Sequence, residues 1–200
     1  MQFIYPFLIC FILIFISELG DKTQLLVLSF SSKTRILNIL LGIAIGTFFS
    51  HGIAILFGSH LGSFENSNVK FYLDLITSIS FLLFGIIGLI PEKENSKNNS
   101  SIFTKISNSK LNYVFTIAIS IIIGELGDKT FLSSLGLGVQ YPKYKLSLIV
   151  GSISGMICSN FLVIFFGKYL AKKIDNNLIP LLSSILFIIL GLFNLFHLFF

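Results

Sequence analysis

The sequence predicts an all-α integral membrane protein whose six transmembrane helices form two inverted three-helix repeats. Composition points to the membrane, because 54% of the residues are hydrophobic and only 12% are charged, whereas about a quarter of the residues are charged in soluble domains. A six-residue string that occurs once in each half of the chain points to the repeat. A soluble fold is excluded by this composition.

Apolar stretches long enough to cross a bilayer core, which takes about 20 residues, occur six times. They cover residues 3–30, 37–58, 69–90, 111–138, 146–170 and 178–199. The first stretch is longer than the apolar region of a secretory signal and follows no basic segment, so we expect it to be a retained helix. Cys10 and Cys158 fall inside these stretches and indicate neither a disulfide nor a thiolate metal site.

A polar segment separates the two halves. Residues 91–110 are rich in Asn, Ser and Lys and too poor in apolar side chains to build a core. We therefore divide the chain into a first three-helix repeat at 1–90, a cytoplasmic linker at 91–110 and a second, inverted three-helix repeat at 111–200.

Basic residues set the expected orientation, because Lys and Arg concentrate in cytoplasmic loops. Lys70, Lys143 and Lys145 flank the even-numbered connections. The odd-numbered connections are flanked by Lys33, Arg35, Lys93, Lys97, Lys105, Lys110, Lys168, Lys172 and Lys173. Both termini are therefore expected outside the cell or in a lumen. The net charge of +5 then reflects topology and anionic lipid headgroups, and no nucleic-acid partner is expected.

The repeat extends through the whole of each half. The string E-L-G-D-K-T occupies residues 18–23 and recurs letter for letter at 125–130. Small residues of the following helices also correspond, at the four-residue spacing that favours close helix packing. They are Gly42, Gly46 and Ser50 in the first half and Gly151, Gly155 and Ser159 in the second. An odd number of spans in each half inverts the second repeat, as in many secondary transporters, whose sites lie where the repeats meet.

Four motif acids lie near the middle of their spans, where a charged side chain costs about 2.5–3.5 kcal/mol. They are Glu18, Asp21, Glu125 and Asp128. Residues three apart share one face of a helix, so we expect both pairs to converge on one metal site. Gly20 and Gly127 would permit a local break that frees backbone carbonyls as further ligands. Oxygen ligands suit calcium, magnesium and manganese.

Protons are expected to compete with the metal for these carboxylates. Burial in a low dielectric favours the neutral form of a carboxyl group, so a proton would replace the departing ion. If only the metal-loaded and proton-loaded forms pass between inward and outward states, this competition becomes obligatory exchange.

A purely structural interpretation is an ion pair within each motif. Glu18 precedes Lys22 by four residues, and Glu125 precedes Lys129 in the same way, which is the favourable order for a helical pair. This interpretation does not account for the two aspartates or for the duplication of the whole six-residue string. Ionisable residues inside a membrane are usually functional, so we favour the metal site.

Further polar residues are second-tier candidates for balancing charge or adding ligands. They are Lys22, Thr23, Gln24, Lys129, Thr130, Ser50, His51, Ser159 and Asn160. The lysines would balance the negative charge of the carboxylates when no ion is bound. The threonine hydroxyls would bind the ion or donate a hydrogen bond back to the helix. Histidine side chains in general can change charge near neutral pH, yet a lone membrane histidine such as His51 is more often a packing residue than a ligand. Asn160 stands at its repeat position.

Two copies of E-x-G-D-K-[ST], in three-helix halves joined by a polar linker, resemble the GDT family of cation/proton exchangers over nearly the whole chain. The resemblance implies manganese and calcium transport coupled to protons, with Glu18, Asp21, Glu125 and Asp128 binding the cation. The ion and the protons are then substrates, and no cofactor is expected. Gln24 in the first copy corresponds to Phe131 in the second, so coordination outside the motif would be asymmetric.

Other classes of protein stay open at this point. An exporter of a small amino acid or organic cation would also use acids at the midplane, but in a wider cavity, and a proton or cation channel would need no alternation. An enzyme is not expected, because the common catalytic and phosphate-binding motifs are missing from the sequence. The same oxygen ligands serve manganese and calcium, and a homo-oligomer is compatible with the sequence.

Overall fold

A computed structural model of the chain describes residues 3–19, 22–31, 33–64, 67–89, 112–173 and 178–199. Within these ranges the regular structure is helical. The first-half helices are α1 (Ile4–Glu18), α2 (Lys22–Ser31), α3 (Ile36–Thr47), α4 (Ile53–Gly62) and α5 (Ser67–Gly88). The second-half helices are α6 (Tyr113–Glu125), α7 (Lys129–Gln140), α8 (Lys145–Lys173) and α9 (Leu178–Phe199). The predicted linker at 91–110 lies outside the described residues.

Four helical segments are long and apolar enough to cross a bilayer. They are Ile36–Gly62, Asn68–Ile87, Pro142–Phe165 and Leu181–Phe199. They coincide with the second, third, fifth and sixth predicted stretches. The first of them is continuous because a π-helical turn at Phe48–Gly52 joins α3 to α4.

The first and fourth predicted spans are each two helices, and the interpretation of either as one continuous helix is wrong. Helix α1 has 15 residues and α6 has 13, so each is about 20 Å long. A bilayer core is about 30 Å thick. Each of these spans would therefore need both of its pieces to cross.

Large apolar side chains cover much of the outer surface. Leu37 is 67% exposed, Ile76 is 61% exposed and Leu146 is 67% exposed, and many other Phe, Ile and Leu side chains resemble them. A soluble protein rarely exposes so much contiguous apolar surface, whereas lipid tails cover it without cost. The long apolar helices and this surface together identify a multi-pass membrane protein.

The main helix contacts join the two halves of the chain. Helix α1 packs on α8, α3 on α6, α4 on α7 and α5 on α9. Buried residues of both halves form one apolar core, to which Leu13, Ile43, Ile121 and Leu148 belong. The two pieces of the interrupted fourth span thus lie along α3 and α4, the two parts of one long helix.

Small residues allow these contacts, and corresponding glycines in the two halves make corresponding contacts. A Cβ on Gly46 would lie 2.7 Å from the Cβ of Ile121, and a Cβ on Gly155 would lie 3.3 Å from the Cβ of Ile14. Ile14 and Ile121 each precede their motif glutamate by one helical turn. The prediction of small-residue seams is confirmed at these two glycines.

The closest of these approaches gives a testable prediction. A Cβ on Gly58 would lie 2.1 Å from the carbonyl oxygen of Leu135, whereas a Cβ on Gly52 would lie no closer than 3.7 Å to its nearest neighbour, on Phe48. We expect Gly58→Ala to lower the free energy of unfolding by about 1–3 kcal/mol, because α4 and α7 must move apart. Thermal unfolding in detergent measures the change.

The matched control is Gly52→Ala on the same long helix, where a methyl group has room. We expect this variant to unfold close to the wild-type temperature. Equal losses of stability in the two variants would contradict the close approach of α4 to α7.

Candidate metal centre

The second motif lies at a break between two helices. Helix α6 ends at Glu125, Leu126 is extended with φ −61° and ψ 116°, and α7 begins at Lys129. Gly127 has φ +83°, a left-handed conformation that glycine adopts without steric cost and that commonly ends helices. Asp128 is extended, with φ −75° and ψ 165°. The break that the sequence allowed at Gly127 is therefore present.

The first motif is interrupted at the same place. Helix α1 ends at Glu18, Leu19 is extended with φ −63° and ψ 121°, and α2 begins at Lys22. Gly20 and Asp21 lie outside the described residues, as does the side chain of Lys22. The role predicted for Asp21 therefore stays a prediction.

The expectation that each Glu and Asp share one helical face is wrong for the second motif, because no helix connects Glu125 to Asp128. The helical ion pair considered for Glu125 and Lys129 fails for the same reason. The amide of Asp128 instead donates to the carbonyl oxygen of Glu125 at 3.1 Å. At this break the negative end of α6 meets the positive end of α7, where amide groups favour nearby carboxylates.

Glu125 is wholly buried and is surrounded by polar groups. The Thr130 hydroxyl donates to its Oε2 at 3.2 Å, and His51 Nε2 lies 3.6 Å from the same oxygen. Its Oε1 has no hydrogen-bond partner among the described residues. A buried carboxylate needs compensation by charge or hydrogen bonds, and a bound cation would supply it.

His51 comes to Glu125 from the other half of the chain. It is wholly buried within the π-helical turn, a rare form of helix that is frequent at functional sites. Its Nδ1 lies 2.7 Å from the hydroxyl oxygen of Ser134 on α7. The sequence prediction missed Ser134; its place one helical turn after Thr130 is the only signal that would have marked it.

Four of the remaining second-tier residues divide between two roles. Gln24 and Ser159 join α2 to α8, because the Gln24 amide donates to the Ser159 hydroxyl at 2.7 Å. Ser50 and Asn160 bond back to their own helices, at Gly46 and Met156. Asn160 Oδ1 is buried without a hydrogen-bond partner in the described part of the chain. Thr23 is buried and Lys129 is half-buried.

Glu18 is as completely buried as Glu125, so each interrupted helix ends on a buried glutamate. Among the described residues, which omit Asp21, no three His, Cys, Asp or Glu side chains lie close enough together to hold a metal ion. The structure thus places Glu125, His51, Thr130 and Ser134 in one cluster. The convergence of all four motif acids stays a prediction.

Comparison with known proteins identifies the family. The family described as "Divalent cation/proton antiporter GDT1" matches residues 6–96 and 113–199. The chain belongs to the GDT1 family. It is therefore a member of a family of transporters and not of enzymes, and the resemblance noted from the two motifs is confirmed at the level of the family.

Individual relatives agree with this assignment. A Vibrio cholerae protein named "Putative manganese exporter" is 30% identical over 178 residues, which cover 88% of this chain and 84% of the relative. A GDT1-like protein of Schizosaccharomyces pombe is 32% identical over 43% of this chain and 32% of its own length. The rice GDT1-like protein 2, chloroplastic, is 24% identical over 96% of this chain and 61% of its own length. No solved structure matches the chain.

The left-handed Gly127 of this GDT1-family chain gives a second prediction. A Cβ at this position would meet no described atom within 4 Å, so a substitution changes the backbone energy and not the packing. We expect Gly127→Ala to cost about 1–2 kcal/mol of stability. Gly127→Asn should cost less, because asparagine tolerates positive φ. Thermal unfolding of the two variants in detergent measures the difference, and an alanine variant as stable as wild type would contradict the observed φ.

Proposed function

We propose that the protein is a secondary transporter that exchanges a divalent cation, manganese or calcium, for protons. The observation that carries the proposal is the burial of one motif glutamate at the end of each interrupted helix, Glu18 on α1 and Glu125 on α6. Helices interrupted at membrane depth are typical of ion sites in secondary transporters. The GDT1 family is described as divalent cation/proton antiporters, which agrees with this activity.

The architecture proposed for this function is six spans in two inverted repeats. The pairing of α1 with α8 and of α3 with α6 supports it, since each motif helix packs on the second span of the other half. Gly46 and Gly155 make equivalent contacts in these pairs. The ion site would then lie where the two interrupted helices meet.

The cation is proposed to bind Glu18, Asp21, Glu125 and Asp128, with the second-tier polar residues completing its shell. Carboxylate and hydroxyl oxygens suit manganese and calcium alike. The name of the Vibrio cholerae relative favours manganese. The excess of Lys and Arg on the odd-numbered connections supports termini outside the cell or in a lumen.

Proton coupling is proposed to arise at the same carboxylates. A carboxylate binds a metal only after losing its proton, so the site holds either the ion or protons. A pH gradient that is acidic outside would then drive the cation out of the cytoplasm, or into an acidic lumen.

Neutralising a motif acid tests the site. We expect Glu18→Gln, Asp21→Asn, Glu125→Gln and Asp128→Asn each to reduce cation flux in proteoliposomes to the background of empty vesicles, because a ligand and a proton acceptor are lost together. The control is Asp74→Asn, which removes a carboxylate from α5, outside both motifs. Size-exclusion profiles and unfolding temperatures would verify the fold. Near wild-type flux in all four motif variants would contradict the shared site.

The second test concerns protons. Since protons and metal compete, we expect the apparent metal affinity to fall as pH falls. Calorimetric titration of the protein with manganese, in two buffers of different ionisation enthalpy at one pH, should give different heats, and flux should change with the sign of an imposed pH gradient. Identical heats, together with flux indifferent to the gradient, would identify a uniporter or channel instead.

A further inference from the structure

We propose that His51 binds the transported ion through Nε2 and that this nitrogen makes the site select first-row transition-metal cations over calcium and magnesium. The inference rests on the proposed function and deepens it, because it gives the site a nitrogen ligand that the motif acids do not supply. It is carried by the positions of His51, Glu125 and Ser134.

The orientation of the His51 ring is fixed from one side. Its Nδ1 lies 2.7 Å from Ser134 Oγ, and both side chains are wholly buried. Histidines that bind metals usually donate their second ring N–H to an acceptor, which sets the tautomer and the ring orientation. If Nδ1–H donates to Ser134, the lone pair of Nε2 is directed toward Glu125.

The gap between His51 and Glu125 has the size of an ion site. Nε2 and Oε2 are 3.6 Å apart, which is beyond the range of about 2.7–3.2 Å for an N–H···O hydrogen bond. Two ligand atoms that share an ion at roughly 2.0–2.3 Å each lie about 3–4 Å apart. His51 Nε2 and Glu125 Oε1 also lack hydrogen-bond partners among the described residues, although both are buried. Two buried ligand atoms are therefore left for an ion.

A nitrogen ligand separates metals that carboxylates alone do not. Calcium and magnesium take oxygen ligands, whereas imidazole binds the divalent first-row metals with an affinity that rises from manganese toward copper. His51 therefore favours manganese over calcium. Cobalt lies above manganese in this order of affinity. Cobalt should therefore compete with manganese for the site more strongly than calcium does.

The second half of the chain suggests the variant that tests this role. Asn160, at the repeat position of His51, is buried in α8 and donates to the Met156 carbonyl. Asparagine is thus accommodated at the corresponding place, and His51→Asn replaces an imidazole nitrogen with a side chain that has an amide oxygen.

The first measurement uses the wild-type protein and needs no variant. Pulsed electron paramagnetic resonance of the manganese-loaded protein in detergent should show hyperfine coupling between manganese and a directly bound imidazole nitrogen. The coupling should disappear in His51→Asn. A wild-type spectrum without this coupling would overturn the inference, even if the variant failed to fold.

The second measurement is selectivity in proteoliposomes. We expect the ratio of manganese to calcium flux to fall about tenfold or more in His51→Asn, with calcium flux retained. Ser134→Ala should lower the ratio in the same direction, because loss of the partner of a metal-bound histidine typically weakens binding about 10- to 100-fold. Ser133→Ala is the matched control, since the Ser133 hydroxyl bonds to the carbonyl of Lys129 on its own helix. It should leave the ratio unchanged.

The outcomes separate this inference from the function on which it rests. A wild-type protein that exchanges cations for protons, together with unchanged selectivity in His51→Asn, would overturn the role of His51 alone. A wild-type protein that carries no divalent cation would overturn both proposals.

Discussion

A membrane interior leaves no backbone polar group unpaired without a large cost, and this constraint governs the structure around the second motif. Residues 126–128 lie between two helices, so their amide and carbonyl groups cannot all bond within one. Such backbone is tolerated at membrane depth where protein surrounds it or where it lines a water-filled cavity. The long helix Ile36–Gly62 packs on the helices on both sides of this break, α3 on α6 and α4 on α7.

The packing of the long helix against the interrupted span depends on glycines as much as on larger side chains. Gly46 lets α3 approach α6, and Gly58 lets α4 approach the backbone of α7. At these distances helices gain dispersion contacts that lipid does not offer at the same density. The two pieces of the broken helix are therefore held by the same neighbour, and Glu125 at their junction stays away from lipid. Packing and the ion site thus depend on the same contacts.

The sequence predicted the architecture better than the geometry of the site. Four long helices coincide with predicted apolar stretches, since length and hydropathy alone determine such spans. The sequence also indicates that the helix can break at Gly127, because glycine weakens helices. The prediction that Glu125 and Asp128 share one helical face was wrong, because a periodicity of 3.6 residues applies only while the helix continues.

The position of His51 beside Glu125 could not be read from the sequence at all. It depends on which helices pair across the two halves and on a π-helical turn, neither of which leaves a periodic pattern in the residues. Ser134 was missed for the same reason, since its significance comes from the histidine that it contacts. The convergence of both motifs stays a prediction, with Asp21 outside the described residues.

The π-helical turn at Phe48–Gly52 also changes the angular register of the long helix. Each residue of an α-helix advances the chain by about 100° around the axis, so the additional residue of a π-turn rotates everything after it relative to everything before it. Gly46 and Gly58, on opposite sides of the turn, face the two separate pieces of one interrupted neighbour, α6 and α7. A return of this turn to α-helical bonding would rotate α4 about the helix axis relative to α3. Because His51 lies within the turn, its side chain would change direction as well.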